Sequence, residues 1–277
     1  MTNQTMTLSP ACFYNDNQRY FNLWWQGSCL LAVLLSVNIL LYFLDPRVLA
    51  DETLWLKPLK FELSIIIHFV TLSVLASLLS HARRNAKSWK VMTYLVVAFG
   101  LFEALYIFLQ AARGRESHFN FTTNMESSMY ALMGLGALIM VAGSFYLGCL
   151  LFREYRSKPD NVLILSSAYG LTVGSVLTLI VAGYLSSAPG ANEINANADA
   201  IRFPLFSWYL NGQDLRIPHF LAMHMMQIIP LYGLWLSQRR LSQRNGSPYR
   251  TQMPILLATG IFSAIVLILF FLAVHLK

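Results

Sequence analysis

The stretch that decides the fold is residues 253–275, MPILLATGIFSAIVLILFFLAVH, which contains no Lys, Arg, Asp or Glu. A helix needs about 20 apolar residues to cross roughly 30 Å of hydrocarbon. Lipid offers no partner to open backbone groups, so such a segment must be helical. Reading back along the chain, six further segments have the same character: 22–44, 60–80, 91–112, 127–152, 162–187 and 219–238. The expected fold class is all-α, a polytopic membrane protein built as a seven-transmembrane-helix bundle. Residues 22–277 form a single domain in this reading, behind a cytoplasmic tail at 1–21, with 188–218 as a long outer loop.

Composition agrees with that class. Of 277 residues, 56% are hydrophobic and 12% charged, and the mean hydropathy is +0.51, too apolar for an ordinary soluble domain. No cleavable signal peptide is expected, because the first apolar run lacks a basic leader and is long enough to span. Cys12, Cys29 and Cys149 form no Cys-x-x-Cys pair, and two of them fall inside spans, which points to packing rather than to disulfides. Gly170 and Gly174 form a Gly-x-x-x-Gly in the fifth span, where small residues let helices approach. Internal packing is the expected use.

Loop charge orients the bundle. Arg19 and the loops after the second, fourth and sixth spans hold twelve basic residues against three acidic ones, and the other side holds eight against ten. Positive residues favour the cytoplasm, so the N-terminus is expected inside and the C-terminus outside. The net charge of +7 then reflects topology and anionic headgroups rather than a nucleic-acid surface. The expected partners are the bilayer and a small-molecule or lipid ligand.

Polar residues within spans are costly and are functional candidates by default. In the second span Lys57, Lys60, Ser64, His68 and Thr71 recur at helical spacing on one stripe. In the third, Glu103, Tyr106, Gln110 and Arg113 do the same. The sixth opens with Pro218, suited to a first turn, and carries His219, His224 and Gln227. At 1.5 Å per residue, His68, Glu103 and His224 reach roughly equal depth below the outer boundary. His81 and His275 border loops and read as interfacial and inert. Lys57, Lys60 and Glu62 read equally as snorkelling anchors.

Three groups of motifs, Lys57-Pro58-x-Lys60-Phe61, then Gln110 through Arg113-Gly114 to Ser117-His118-Phe119-Asn120, then Asp214-Leu215-Arg216-x-Pro218-His219-Phe220-x-x-x-His224-x-x-Gln227, resemble a bacterial family of multispan membrane proteins. The resemblance covers spans two to six. It implies that Glu103, His118, Asp214, His219 and His224 form one functional set in a bacterial cytoplasmic (inner) membrane protein, and it brings no activity with it. His68 and Glu62 fall outside its pattern.

Three mechanisms remain open at this point. A zinc site would use three protein ligands and an open position for water. His118, His219 and His224 would supply the ligands, with the catalytic candidates Asp214 or Glu103 orienting a ligand or acting as general base. The spacing of five between His219 and His224, about 140° around a helix, demands a distorted first turn. A haem or quinone site would pair His68 with His224, without a Cys-x-x-Cys-His motif. A proton-coupled transporter or ligand sensor would relay protons through Glu103, His224 and His68, with Pro230 bending the sixth span. The favoured expectation is an outward-facing intramembrane site, on an enzyme acting on a small or lipidic substrate. Lys57, Lys60, Gln110, Arg113, Ser117, Asn120, Arg216 and Gln227 would bind the ligand. Glu103, His118, Asp214 and His224 are expected around one cavity, with His219 either turned into it through an irregular first turn or hydrogen-bonded to the aromatic loop.

Overall fold

A computed structural model describes residues 19–49, 52–187, 202–203, 208–209, 214–241 and 249–275. Among them are eight helices: α1 (Arg19–Leu44), α2 (Leu56–Ala76), α3 (His81–Arg84), α4 (Lys87–Ala112), α5 (Asn124–Tyr155), α6 (Val162–Ser187), α7 (Arg216–Leu241) and α8 (Tyr249–His275). All but α3 are long and apolar enough to cross a membrane. The chain is a multi-pass, seven-helix membrane protein. Two antiparallel ribbons accompany the helices: β1 (Val48–Leu49) with β2 (Glu52–Thr53), and β3 (Arg202–Phe203) with β4 (Trp208–Tyr209).

Several helices begin a few residues earlier than hydropathy alone suggests, and side-chain caps fix the first turns of α5 and α6. α5 is N-capped by Thr123, whose Oγ1 accepts from the Glu126 N–H at 3.2 Å and donates to Glu126 Oε2 at 3.4 Å, satisfying one backbone donor that an uncapped end would strand. Asn161 Oδ1 accepts the Ile164 N–H at 3.0 Å at the start of α6. A cap of this kind contributes about 1 kcal/mol. α2 begins four residues before the expected boundary, with Pro58 in its first turn, where a missing N–H costs nothing.

The helices group into two compact units. Unit 1 holds the described residues up to Ser73 together with Lys87–Ala131, and unit 2 holds Val74–Ala86 and Leu132 onward. In unit 1, α1 packs against α4, and Phe69 of α2 fills their junction. A Cβ on Gly100 would stand 2.6 Å from the Phe69 ring and one on Gly27 3.1 Å from it, so both glycines are there to admit the aromatic. Trp24 meets Phe69 edge-on at 5.5 Å, an arrangement that favours the ring quadrupoles.

In unit 2, α6 is the central helix, with 67% of its span window buried against 17% for α8. The Gly-x-x-x-Gly of α6 serves internal packing. A Cβ on Gly170 would lie 2.7 Å from Pro230 and one on Gly174 2.9 Å from Met226, so α7 rests directly on the α6 backbone. Outward faces stay apolar, as at Phe43, Leu257 and Ile261. Lipid, being as apolar as these side chains, accepts them without cost.

Candidate functional site

Unit 1 gathers most of the expected site residues at one end. α4 delivers a polar ladder from the stripe read in the sequence. Gln110 Nε2 donates to Tyr106 Oη at 3.0 Å, and Arg113 Nη1 donates to Gln110 Oε1 at 3.0 Å. Gln110 is buried and also donates to the Glu116 carbonyl at 3.2 Å, so it ties the helix to the loop that follows. Asn120 grips the same carbonyl at 3.0 Å, and its Oδ1 receives the Thr122 N–H at 3.2 Å and hydroxyl at 2.7 Å. Its duty is to shape the loop. Phe119 takes φ +55°, a left-handed conformation that a non-glycine residue rarely adopts, in the turn that presents His118.

His118 sits between the rings of Phe61 (5.3 Å) and Tyr130 (6.1 Å). Burial among these groups, then the nearby Lys57 ammonium, pushes the imidazole down to about 3, so it is neutral at physiological pH. Ser117 Oγ lies 3.0 Å from Nδ1. Lys57, in the first turn of α2, has Glu116, Glu52 and Lys60 as its charged neighbours, and Lys60 Nζ stands 3.5 Å from Glu52 Oε2. Lys57 is partly buried beside these charges. Snorkelling does not describe Glu62, which is fully buried and accepts from Asn38 Nδ2 at 3.0 Å across α1 and α2.

Glu103 lies deeper on α4. It is 5% exposed, and its Oε2 meets no hydrogen-bond donor. A buried carboxyl without a full set of partners is costly, so the position has a use or a proton. Arg113 is bound to Gln110 and not to Glu103.

Unit 2 carries the remainder. Asp214, 1% exposed, caps α7: its Oδ1 accepts the Arg216 N–H at 3.0 Å and its Oδ2 the Tyr209 N–H at 3.0 Å. The Arg216 guanidinium adds bonds of 2.8 and 2.6 Å. Both carboxylate oxygens of Asp214 face donors, so it anchors the β3–β4 ribbon to the helix start. His224 rests on Phe220 with ring centroids 4.1 Å apart, and Phe220 on Trp208 at 5.0 Å. His219 Nδ1 and Gln227 Oε1 are buried without hydrogen-bond partners.

Among the described residues, no three His, Cys, Asp or Glu side chains are grouped to hold a metal ion. The first turn of α7 is regular, with His219 N donating to the Leu215 carbonyl at 3.2 Å, so a spacing of five keeps His219 and His224 on different faces. His118 belongs to unit 1, as do His68 and Glu103, whereas His219, His224 and Asp214 belong to unit 2.

Sequence reasoning passed over Glu126, which takes Arg115 at 3.0 Å and the Thr122 hydroxyl. Its signal was present as Thr123-x-x-Glu126. It also passed over Asn38, Glu52 and Tyr130, which only packing connects to the candidate residues. Comparison with family models, curated proteins and solved structures finds no match to this chain.

Proposed function

We propose that the protein binds a small anionic or amphiphilic molecule at the polar end of unit 1, through Lys57, Lys60, Gln110, Arg113, Ser117 and His118. The observation that carries this reading is the neutral His118 beside the Lys57 ammonium. A half-buried ammonium supplies charge attraction, and a neutral imidazole held by Ser117 supplies a directed hydrogen bond or a base. Arg113, exposed and steadied by Gln110, presents a fork suited to a carboxylate or phosphate. The aromatic walls, Phe61 and Tyr130, suit the apolar part of an amphiphile. The motif resemblance and the loop charges support placing this end on the non-cytoplasmic side of a bacterial inner membrane, with the N-terminus inside.

A second reading, proton-coupled transport or sensing, is favoured by Glu103, whose buried carboxyl could exchange a proton when ligand binds. Purified protein in detergent should be stabilised by amphiphilic carboxylates or phosphates. Lys57→Gln and His118→Gln should abolish that stabilisation while circular dichroism stays helical. Unchanged ligand response in both variants would rule the site out. Elemental analysis and a visible spectrum on the same sample test zinc and haem directly.

A further inference from the structure

Unit 2 contains a cleft of its own, apart from the Lys57–His118 cluster of unit 1. The ends of α5, α6 and α8 enclose a half-open cleft of about 400 Å³, lined by Phe152, Tyr155, Arg156, Tyr169, Gln252 and Leu256 among others. Its wall is divided by chemistry. Phe152 and Tyr169 meet edge-on at 4.9 Å, and Leu256 adds an exposed aliphatic surface. The lining also includes the Arg156 guanidinium and a polar bridge in which Gln252 Nε2 donates to Tyr155 Oη at 3.0 Å.

The cleft sits where three spans end, at Tyr155, Val162 and Gln252, which is the depth of lipid headgroups. On α7, Tyr232 stacks with Trp235, and the Arg239 guanidinium covers Trp235 at 4.1 Å, the aromatic and basic signature of an interface. Glu154, the acidic residue nearest in sequence, is already neutralised by Arg83 at 3.0 Å and Lys158 at 3.2 Å. Among the described residues no carboxylate lies within ion-pair distance of Arg156. A guanidinium with no carboxylate partner among the described residues, beside an aromatic and aliphatic wall at headgroup depth, is complementary to an anionic amphiphile.

We propose that this cleft holds an anionic glycerophospholipid. Arg156 pairs with its phosphate, Gln252 and Tyr155 bond its glycerol or headgroup oxygens, and Phe152, Tyr169 and Leu256 line the first part of an acyl chain. The lipid joins the ends of α5, α6 and α8, of which α8 is the least buried and gains most from an added contact.

Native mass spectrometry of the full chain in detergent tests this, with phosphatidylglycerol and phosphatidylcholine as probes. Phosphatidylglycerol adducts should survive activation that strips phosphatidylcholine, and Arg156→Gln should weaken them about fivefold. Arg156→Lys, which keeps the charge, should retain most binding, and Arg153→Gln, one turn away outside the cleft lining, should leave it unchanged. Leu256→Trp, which fills the chain-side wall, should reduce both lipids together. Inorganic phosphate alone should not raise the melting temperature. Equal retention of the two lipids, indifference to Arg156→Gln, or full stabilisation by phosphate alone would each overturn the assignment.

Discussion

Each unit contains an Asp-x-Arg triplet beside a two-residue ribbon, and the two are used differently. In unit 1, Asp45 follows the C-terminus of α1. It receives the Arg47 N–H at 3.1 Å, the Arg47 side chain at 2.7 Å and Trp55 Nε1 at 2.9 Å. In unit 2, Asp214 precedes α7 and receives the Arg216 N–H, the Arg216 side chain and the Tyr209 N–H. The local geometry is nearly the same. The surroundings are not: the Asp45 side chain is 17% exposed with Arg47 at 51%, whereas the Asp214 side chain is fully buried with Arg216 at 38%. A short-range motif thus specifies the bond, and burial decides how much depends on it. Arg47 also donates to the Ala112 carbonyl at 3.2 Å, so the unit 1 clamp steadies the end of α4 from which the His118 loop leaves. The unit 2 clamp is a helix cap first.

The largest effect should follow from Asp214→Ala. It strands buried donors at Tyr209 and Arg216 and removes the α7 cap, a loss of about 3 kcal/mol that calorimetry in detergent should report as a lowered melting temperature. A loss no larger than that of Asp45→Ala would break the comparison. Loss of the His118 environment comes next. Its imidazole is held below the usual histidine range, so the folded state prefers it neutral. That stability is complete above the unfolded value of about 6.5, and it drains as pH falls toward the folded value of about 3. The melting temperature of wild type should fall between pH 7 and pH 4, and the fall should be shallower in His118→Gln. Parallel curves would show that the histidine is solvated.

Asp45→Asn should give the smallest change. Arg47 and Trp55 hold the Asp45 carboxyl well below the usual carboxylate range, so its contribution is present above about pH 4 and is lost as pH falls further. The variant should be slightly less stable at neutral pH, and the two melting curves should converge in acid. A gap that widened on acidification would reverse the sign of this argument. High salt sharpens the contrast, because it should weaken the exposed Asp45–Arg47 pair more than the Asp214–Arg216 pair.

Much of the architecture was legible in the sequence, residue by residue. The uncharged run at 253–275 and its six counterparts stand as seven spanning helices, and the spacing of Tyr106, Gln110 and Arg113 became a hydrogen-bonded ladder on one face of α4. The Gly170-x-x-x-Gly174 packing reading also stands, with Pro230 and Met226 as its occupants. The site was less legible. Glu62 looked like an interfacial anchor because it lies near a span boundary, yet an asparagine from a different helix holds it in full burial. His118, His219 and His224 looked like a ligand set because histidine is the commonest metal ligand. Residue type suggested that set, whereas the five-residue spacing of His219 and His224 keeps that pair on different faces of α7.

Span number and helical stripe follow from the sequence alone, because partitioning into lipid is decided segment by segment and a helix has a fixed period. Which polar groups meet belongs to the tertiary structure. Asn38 reaches Glu62, Lys57 approaches His118 and Gln252 bridges to Tyr155 only after helices distant in the chain have packed. Those pairings depend on interhelical distances of a few ångströms, which no local property of the chain encodes.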